Sequence, residues 1–163
     1  MCTGSLAAAA PIRNQPLHFS FSVPDRLRPL SPEGMSKATL YAFGADGYFE
    51  LLGVQDLGGT IAKGPLDQHA IEASARQQAG AREDLRFEYR QAKWRGFALD
   101  VVITTWKGKE QRFLTVAVQV PLASHAIQLL ATGHAKDEEQ IVADVSGVLA
   151  TIEGESSWAG AGR

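Results

Sequence analysis

The sequence predicts an α+β fold, an antiparallel β-sheet meander with flanking helices, on three observations. Residues 85–120, LRFEYRQAKWRGFALDVVITTWKGKEQRFLTVAVQV, read as three consecutive strands joined by two tight turns. Residues 137–152 carry Ile141, Val145, Val148, Leu149 and Ile152 on one stripe, the pattern of an amphipathic helix. A second, thinner helical pattern over residues 65–79 precedes the meander, so helices stand on either side of it along the chain.

The chain has 163 residues, 45% of them hydrophobic and 21% charged, with a formal net charge of −2. That length suits one domain, able to bury about 70% of its unfolded surface. The charge balance gives no footprint for nucleic acid, and no apolar run approaches the ~18 residues of a membrane span. The single cysteine, Cys2, excludes an intrachain disulfide and a cysteine-rich metal site. Residues 1–16 are expected as a disordered tail or an export-signal remnant, since MCTGSLAAAAP resembles a signal-peptide cleavage region without its basic start and apolar segment. The single domain is expected over 17–153, followed by a flexible C-terminal tail, 154–163.

Taken in order, Leu17, Phe19, Phe21 and Val23 alternate with His18, Ser20 and Ser22, which predicts a half-buried strand ended by Pro24. Residues 24–34 hold three prolines and read as a surface loop. Strands are expected near 37–43 and 48–54, joined by the turn Gly44-Ala45-Asp46-Gly47. The glycines of 57–64 match neither GxGxxG nor GxxxxGK[ST] and read as a linker. In the meander, Trp94-Arg95-Gly96 suits a three-residue loop, which sets Lys93 opposite Phe97, Arg90 opposite Asp100 and Glu88 opposite Val102. The second turn, near Gly108-Lys109, sets Trp106 opposite Gln111 and Thr104 opposite Phe113. A fourth strand is expected over 124–132. Asp137 is the expected N-cap of the last helix, with Gln140 completing a capping-box arrangement.

This register divides the meander into two faces. Leu85, Phe87, Tyr89, Leu99, Val101, Ile103, Leu114, Val116, Val118 and Val120 form a dry face for the last helix to cover. Arg86, Glu88, Arg90, Asp100, Val102, Thr104, Trp106, Phe113, Thr115, Ala117 and Gln119 form a mixed face, with Arg90 and Asp100 expected as a cross-strand ion pair. The bland reading of that face is a solvated sheet surface. The sharper one is a groove for a protein partner, because tryptophan and arginine anchor interfaces. The candidate binding residues are Arg90, Trp94, Arg95, Asp100, Trp106 and Phe113.

No chemistry is legible. His18, His69, His125 and His134 fall on four different predicted elements and form no HxH or HExxH spacing, so no metal or other cofactor is expected. There is no G-x-S-x-G elbow, and Asp137-Glu138-Glu139 reads as negative charge at a helix N-terminus. A small hydrolase would need clustered histidines and carboxylates that these spacings do not supply. The chain is therefore expected not to be an enzyme.

The FSFSVP strand, the order of elements and the closing helix IVADVSGVLATI resemble the PsbP-like superfamily over residues 17–153. That resemblance implies an α/β/α sandwich around an antiparallel sheet. It also implies action by binding, as in the photosystem II extrinsic subunit, a nuclear Ran-binding release factor and bacterial members of unassigned function. Leu27 stands where bacterial members carry a tryptophan after the first strand. TTWKGKEQRFLTVAVQV and IQLLATG also resemble the small chaperones of type VI secretion effectors, which shield apolar helices of their partners. The first implication is an accessory protein that is periplasmic or otherwise exported; the alternative is a cytoplasmic chaperone, dimeric if it acts as that branch does.

Overall fold

In the computed structural model, residues 10–59, 61, 64–80 and 82–158 are described. The chain passes through β1 (Ile12–Asn14), β2 (Phe19–Phe21), β3 (Leu27–Leu30), β4 (Thr39–Ala45), β5 (Glu50–Asp56), α1 (Gln68–Gln77), β6 (Glu83–Trp94), β7 (Phe97–Lys107), β8 (Arg112–Pro121), β9 (Ala126–His134), α2 (Glu138–Thr151) and β10 (Glu153–Gly154). Seven strands form one antiparallel sheet in the order β3-β4-β5-β9-β8-β7-β6, and β1-β2-β10 form a small second sheet. Leu51 to Val54 pair with Thr132 to Leu129, so β9 joins the N-terminal hairpin to the meander.

Because side chains alternate along each strand, register decides what each face holds. On the first face, Phe43, Leu52, Val54, Leu129, Ala131, Leu114, Val116, Val118, Leu99, Val101 and Ile103 are all buried. Onto them pack Ile141, Val145, Val148 and Leu149 of α2 and Ile152 at its C-cap, the stripe read from the sequence. Phe19 and Phe21 of the small sheet extend this core, with Phe21 edge-on to Phe43 at 6.0 Å between centroids. Burying each such side chain is worth about 1.5–3 kcal/mol, so this layer is the principal stabilising unit.

Five expectations need correction. The β6–β7 turn has two residues, not three. Arg95 (φ 50°) and Gly96 (φ 81°) both take positive φ, the conformation of a tight hairpin whose twist matches its strands, and Trp94 pairs with Phe97. The pairing therefore moves by one residue: Arg90 lies opposite Val101, Glu88 opposite Ile103 and Gln91 opposite Asp100. A one-residue shift reverses every side chain, so Phe87 and Tyr89 leave the core face while Glu88 and Arg90 join it. The second turn departs by two residues, with Trp106 opposite Phe113, and an even shift leaves the faces of β8 as expected.

Residues at both ends, expected as tails, belong to the folded unit. Ile12–Asn14 pairs with β2, Glu153–Gly154 pairs with β2 from its other side, and Ser156 bridges Leu122. The alanine-rich stretch up to Ala9 lies outside the described residues, as do residues 159–163. The 24–34 loop contains β3, an edge strand that tolerates Pro29. Finally, Asp137 makes no side-chain cap bond, because a 3-10 turn (Ala135–Asp137) leads into α2 in its place.

α2 approaches β9 so closely that Gly133 has no room for a side chain. A Cβ there would lie 2.5 Å from Ile141 Cδ1 and 2.5 Å from the Phe49 backbone oxygen. Gly133→Ala is expected to lower stability by about 1–3 kcal/mol, measured by urea unfolding; an unchanged midpoint would mean that α2 does not seat on β9 as described.

Candidate functional site

The second face of the large sheet is the outer face, and it builds up in rows across the strands. Trp106, Phe113 and His134 make an aromatic row. Next comes Phe87, Thr104, Thr115, Thr132 and Leu51, then Tyr89, Val102, Ala117, Leu130 and Gly53. The last row is polar: Gln91 opposite Asp100, and Gln119 opposite Gln128, which lies opposite Gln55. Gln128 donates to Gln55 at 3.0 Å. Most of these side chains are half-buried, unlike those beneath α2.

α1 covers only the β6 edge of this face. Asp67 caps it, accepting from the Ala70 N–H at 3.0 Å. No residue of α1 is buried, as its lack of large apolar side chains dictates. Tyr89 donates to Glu72 at 3.1 Å, and the Arg76 guanidinium sits 5.2 Å from the Phe87 ring centre. Burial pushes the Tyr89 hydroxyl pKa up, and the bond to Glu72 adds to it.

Beside α1 lies a cleft of about 530 Å³. It opens where two strands part: pairing of β7 with β8 ends at Val101 and Val118, so Phe97 to Asp100 continue with β6 alone. Tyr89, Gln91, Phe97, Asp100, Gln119 and Trp158 line it, with the connection into α1 on the other side. Trp158 is held there by Phe97, edge-on at 5.6 Å.

The six sequence candidates separate into different places. Asp100 lines the cleft and accepts from Gln91 at 3.5 Å. Trp106 and Phe113 stack on the outer face at 6.0 Å and 20°, but Arg82 lies 4.3 Å over Trp106 and leaves it 8% exposed. Beyond Phe113 the row reaches His134 and then Phe49, which is 50% exposed. Arg90 is on the α2 face and does not pair with Asp100: it donates to Glu88 at 2.7 Å and approaches Glu138 of α2 at 3.6 Å. Its pKa is raised chiefly by the bond to Glu88. Trp94 is a core residue, 3% exposed, whose indole N–H donates to the Ile152 carbonyl at 3.1 Å. Arg95 remains exposed at the turn and donates to the Gly154 carbonyl at 2.9 Å.

Sequence reasoning missed a buried acid pair beneath α2. Glu50 and Asp144 are 4% and 0% exposed. Asp144 accepts from Tyr48 and from Arg26, and Gln140, with its amide oxygen toward Arg26, accepts from the same guanidinium at 2.8 and 2.9 Å. Among the described residues neither Glu50 oxygen accepts a hydrogen bond, so an ionised Glu50 would be a poorly compensated buried charge, and the group is held as the neutral acid. Burial pushes Glu50 up to about 9, reinforced by its contact with Asp144. For Asp144 burial acts upward, but bonds from Glu50, Tyr48 and Arg26 outweigh it and hold the carboxyl below its usual range. Tyr48 is raised by burial and by its bond to Asp144. The only forewarning in the sequence is Asp144 on the apolar side of its helix.

The signs of these shifts fix the pH response. The folded state keeps a Glu50 proton that the unfolded chain loses, so this contribution to stability falls as pH rises from about 4.5 to about 9. Asp144 acts oppositely: its contribution is present above the ordinary carboxylate value of 3.8 and is lost as pH falls through its lower folded value. Glu50→Gln is expected to be about 1–3 kcal/mol more stable than wild type at pH 9 and to flatten the decline. Asp144→Asn is expected to lose about 1–3 kcal/mol at neutral pH by removing the buried carboxylate that accepts from Tyr48 and Arg26. Urea unfolding across pH 5–10 checks both; parallel curves for wild type and Glu50→Gln would contradict the protonated assignment.

Compared with known proteins, the chain matches no family model and no curated sequence. Among solved structures it superposes on cyanobacterial PsbP (CyanoP) from Synechocystis sp. PCC 6803 with a TM-score of 0.58 and 10% identity, over 94% of this chain and 97% of that one. LpqN of Mycobacterium tuberculosis, a protein involved in cell envelope biogenesis, aligns at a TM-score of 0.49 and 15% identity, over 88% and 89% of the two chains. The sheet with α2 on one face and α1 on the other is thus the PsbP-like fold.

Proposed function

We propose that this chain is a non-enzymatic accessory protein that binds a partner protein on the outer face of its large sheet. One observation carries the reading. The α2 face is sealed by a helix and a second sheet, whereas the outer face is left half-buried, with α1 over one edge and a cleft beside it. Sheet surface that the described residues leave uncovered, mixing aliphatic, threonine and amide side chains, suits a protein interface with an apolar centre and polar rim. Residues Thr115, Thr132 and Gln119 stand in the middle of that face, and they replace Arg90 and Trp94 among the contacts. Export from the cytoplasm belongs to the same proposal, suggested by the small-residue stretch ahead of Pro11.

The test is crosslinking in the native host. A photoreactive phenylalanine at Thr115 or Gln119 is expected to give one discrete protein adduct, absent with the probe at Ser146 on the exposed side of α2 and lost when Thr132→Arg is added. No adduct, or the same adducts from Ser146, would contradict the reading.

A further inference from the structure

Within the cleft, Asp100 is the one charged side chain among the described lining residues. Among the described residues its only side-chain hydrogen bond is the 3.5 Å contact from Gln91, and no arginine, lysine or histidine forms an ion pair with it. Some surface acids are paired within the chain: Asp84 with Arg86 and Arg112, Asp46 with Arg28, and Glu88 with Arg90. What sets Asp100 apart is its place: it lines the cleft where β7 parts from β8.

Its surroundings match one kind of ligand group. Tyr89, Phe97 and Trp158 bring aromatic rings to the wall, and Gln91 and Gln119 bring amide oxygens able to accept. A carboxylate among aromatic rings and amide acceptors is complementary to an ammonium or guanidinium carried on an apolar stem. An anionic group would meet Asp100 without a compensating cation, and a purely apolar group would leave that carboxylate unpaired.

We infer that the cleft receives a lysine or arginine side chain from an extended segment of the protein partner, with its cation on Asp100. This rests on the outer-face reading and adds the chemistry of what docks there. Asp100 acts as the anchoring carboxylate, and Tyr89 and Trp158 flank the alkyl stem.

The experiment is an amide-detected NMR titration of the labelled protein with acetyl-Gly-Arg-Gly-amide and with the same peptide carrying neutral citrulline. The arginine peptide is expected to shift Gln91, Asp100 and Gln119, and the citrulline peptide to bind about fivefold or more weakly. Asp100→Asn is expected to abolish that difference and Asp100→Glu to keep it. Lys63→Ala, which removes a lysine close in sequence to Gly64 of the cleft wall, is expected to bind as wild type. Equal binding of the two peptides, shifts mapping away from the cleft, no shifts at all, or an Asp100→Asn titration like that of wild type would each overturn the inference. So would tighter binding in Lys63→Ala, which would make the chain's own lysine the occupant. Crosslinking through Thr115 in the Asp100→Asn background separates the two levels: an adduct that persists keeps the outer-face reading while the cation inference falls, and its absence in wild type removes both.

Discussion

The two-residue turn Arg95-Gly96 is the constraint on which the two faces of this molecule depend. Because both residues take positive φ, Trp94 and Phe97 face each other directly, and every pairing up β6 follows from that contact. The turn sends Trp94 into the core, where its indole meets the end of α2 and the chain that follows. It also places Tyr89 and Gln91 beside Asp100 on the outer face. A loop one residue longer would exchange these sets, leaving Arg90 beside Asp100 and burying Tyr89.

Beneath α2 the sheet is apolar except at one point. Glu50 and Asp144 share a buried pocket with Tyr48 and Arg26, close to Gly133, where α2 comes nearest β9. Ionising both acids there would place two like charges in a medium of low dielectric, so one stays protonated and the other takes the cation. The cluster joins β5, the chain before β3 and α2, three segments far apart in sequence. Its polar bonds have one geometry, whereas apolar contacts tolerate sliding, so it fixes where α2 sits along the sheet.

Much of this was legible in the sequence, and the reasons for the failures are physical. The α2 stripe was readable because five large apolar residues keep helical spacing, and the alternation of β7 and β8 marked seven buried positions correctly. β6 misled because its alternating Leu85, Phe87 and Tyr89 are apolar on the side that α1 covers, which periodicity cannot tell from the core. The turn was misjudged because Trp-Arg-Gly permits a two- or three-residue loop, and arginine is an unusual occupant of positive φ. β3 and β10 are short pieces that exist only by pairing, β3 with the strand that follows it and β10 with the distant β2. The acid pair was invisible because Glu50 and Asp144 are 94 residues apart in the chain. Of the site candidates, Asp100 belongs to the cleft, Trp106 and Phe113 share the outer face with it, and Arg90 and Trp94 serve the α2 side.

The outer face differs from the α2 face in what the chain does with it: one is sealed by a matched helix, the other only bordered by a helix without a core-forming stripe. That difference, together with the cleft where β7 and β8 separate, carries the functional reading, and both rest on the β6 register. Interstrand Hα–Hα nuclear Overhauser contacts measure that register directly. The account predicts contacts between Gln91 and Asp100 and between Tyr89 and Val102; a contact between Arg90 and Asp100 would contradict it.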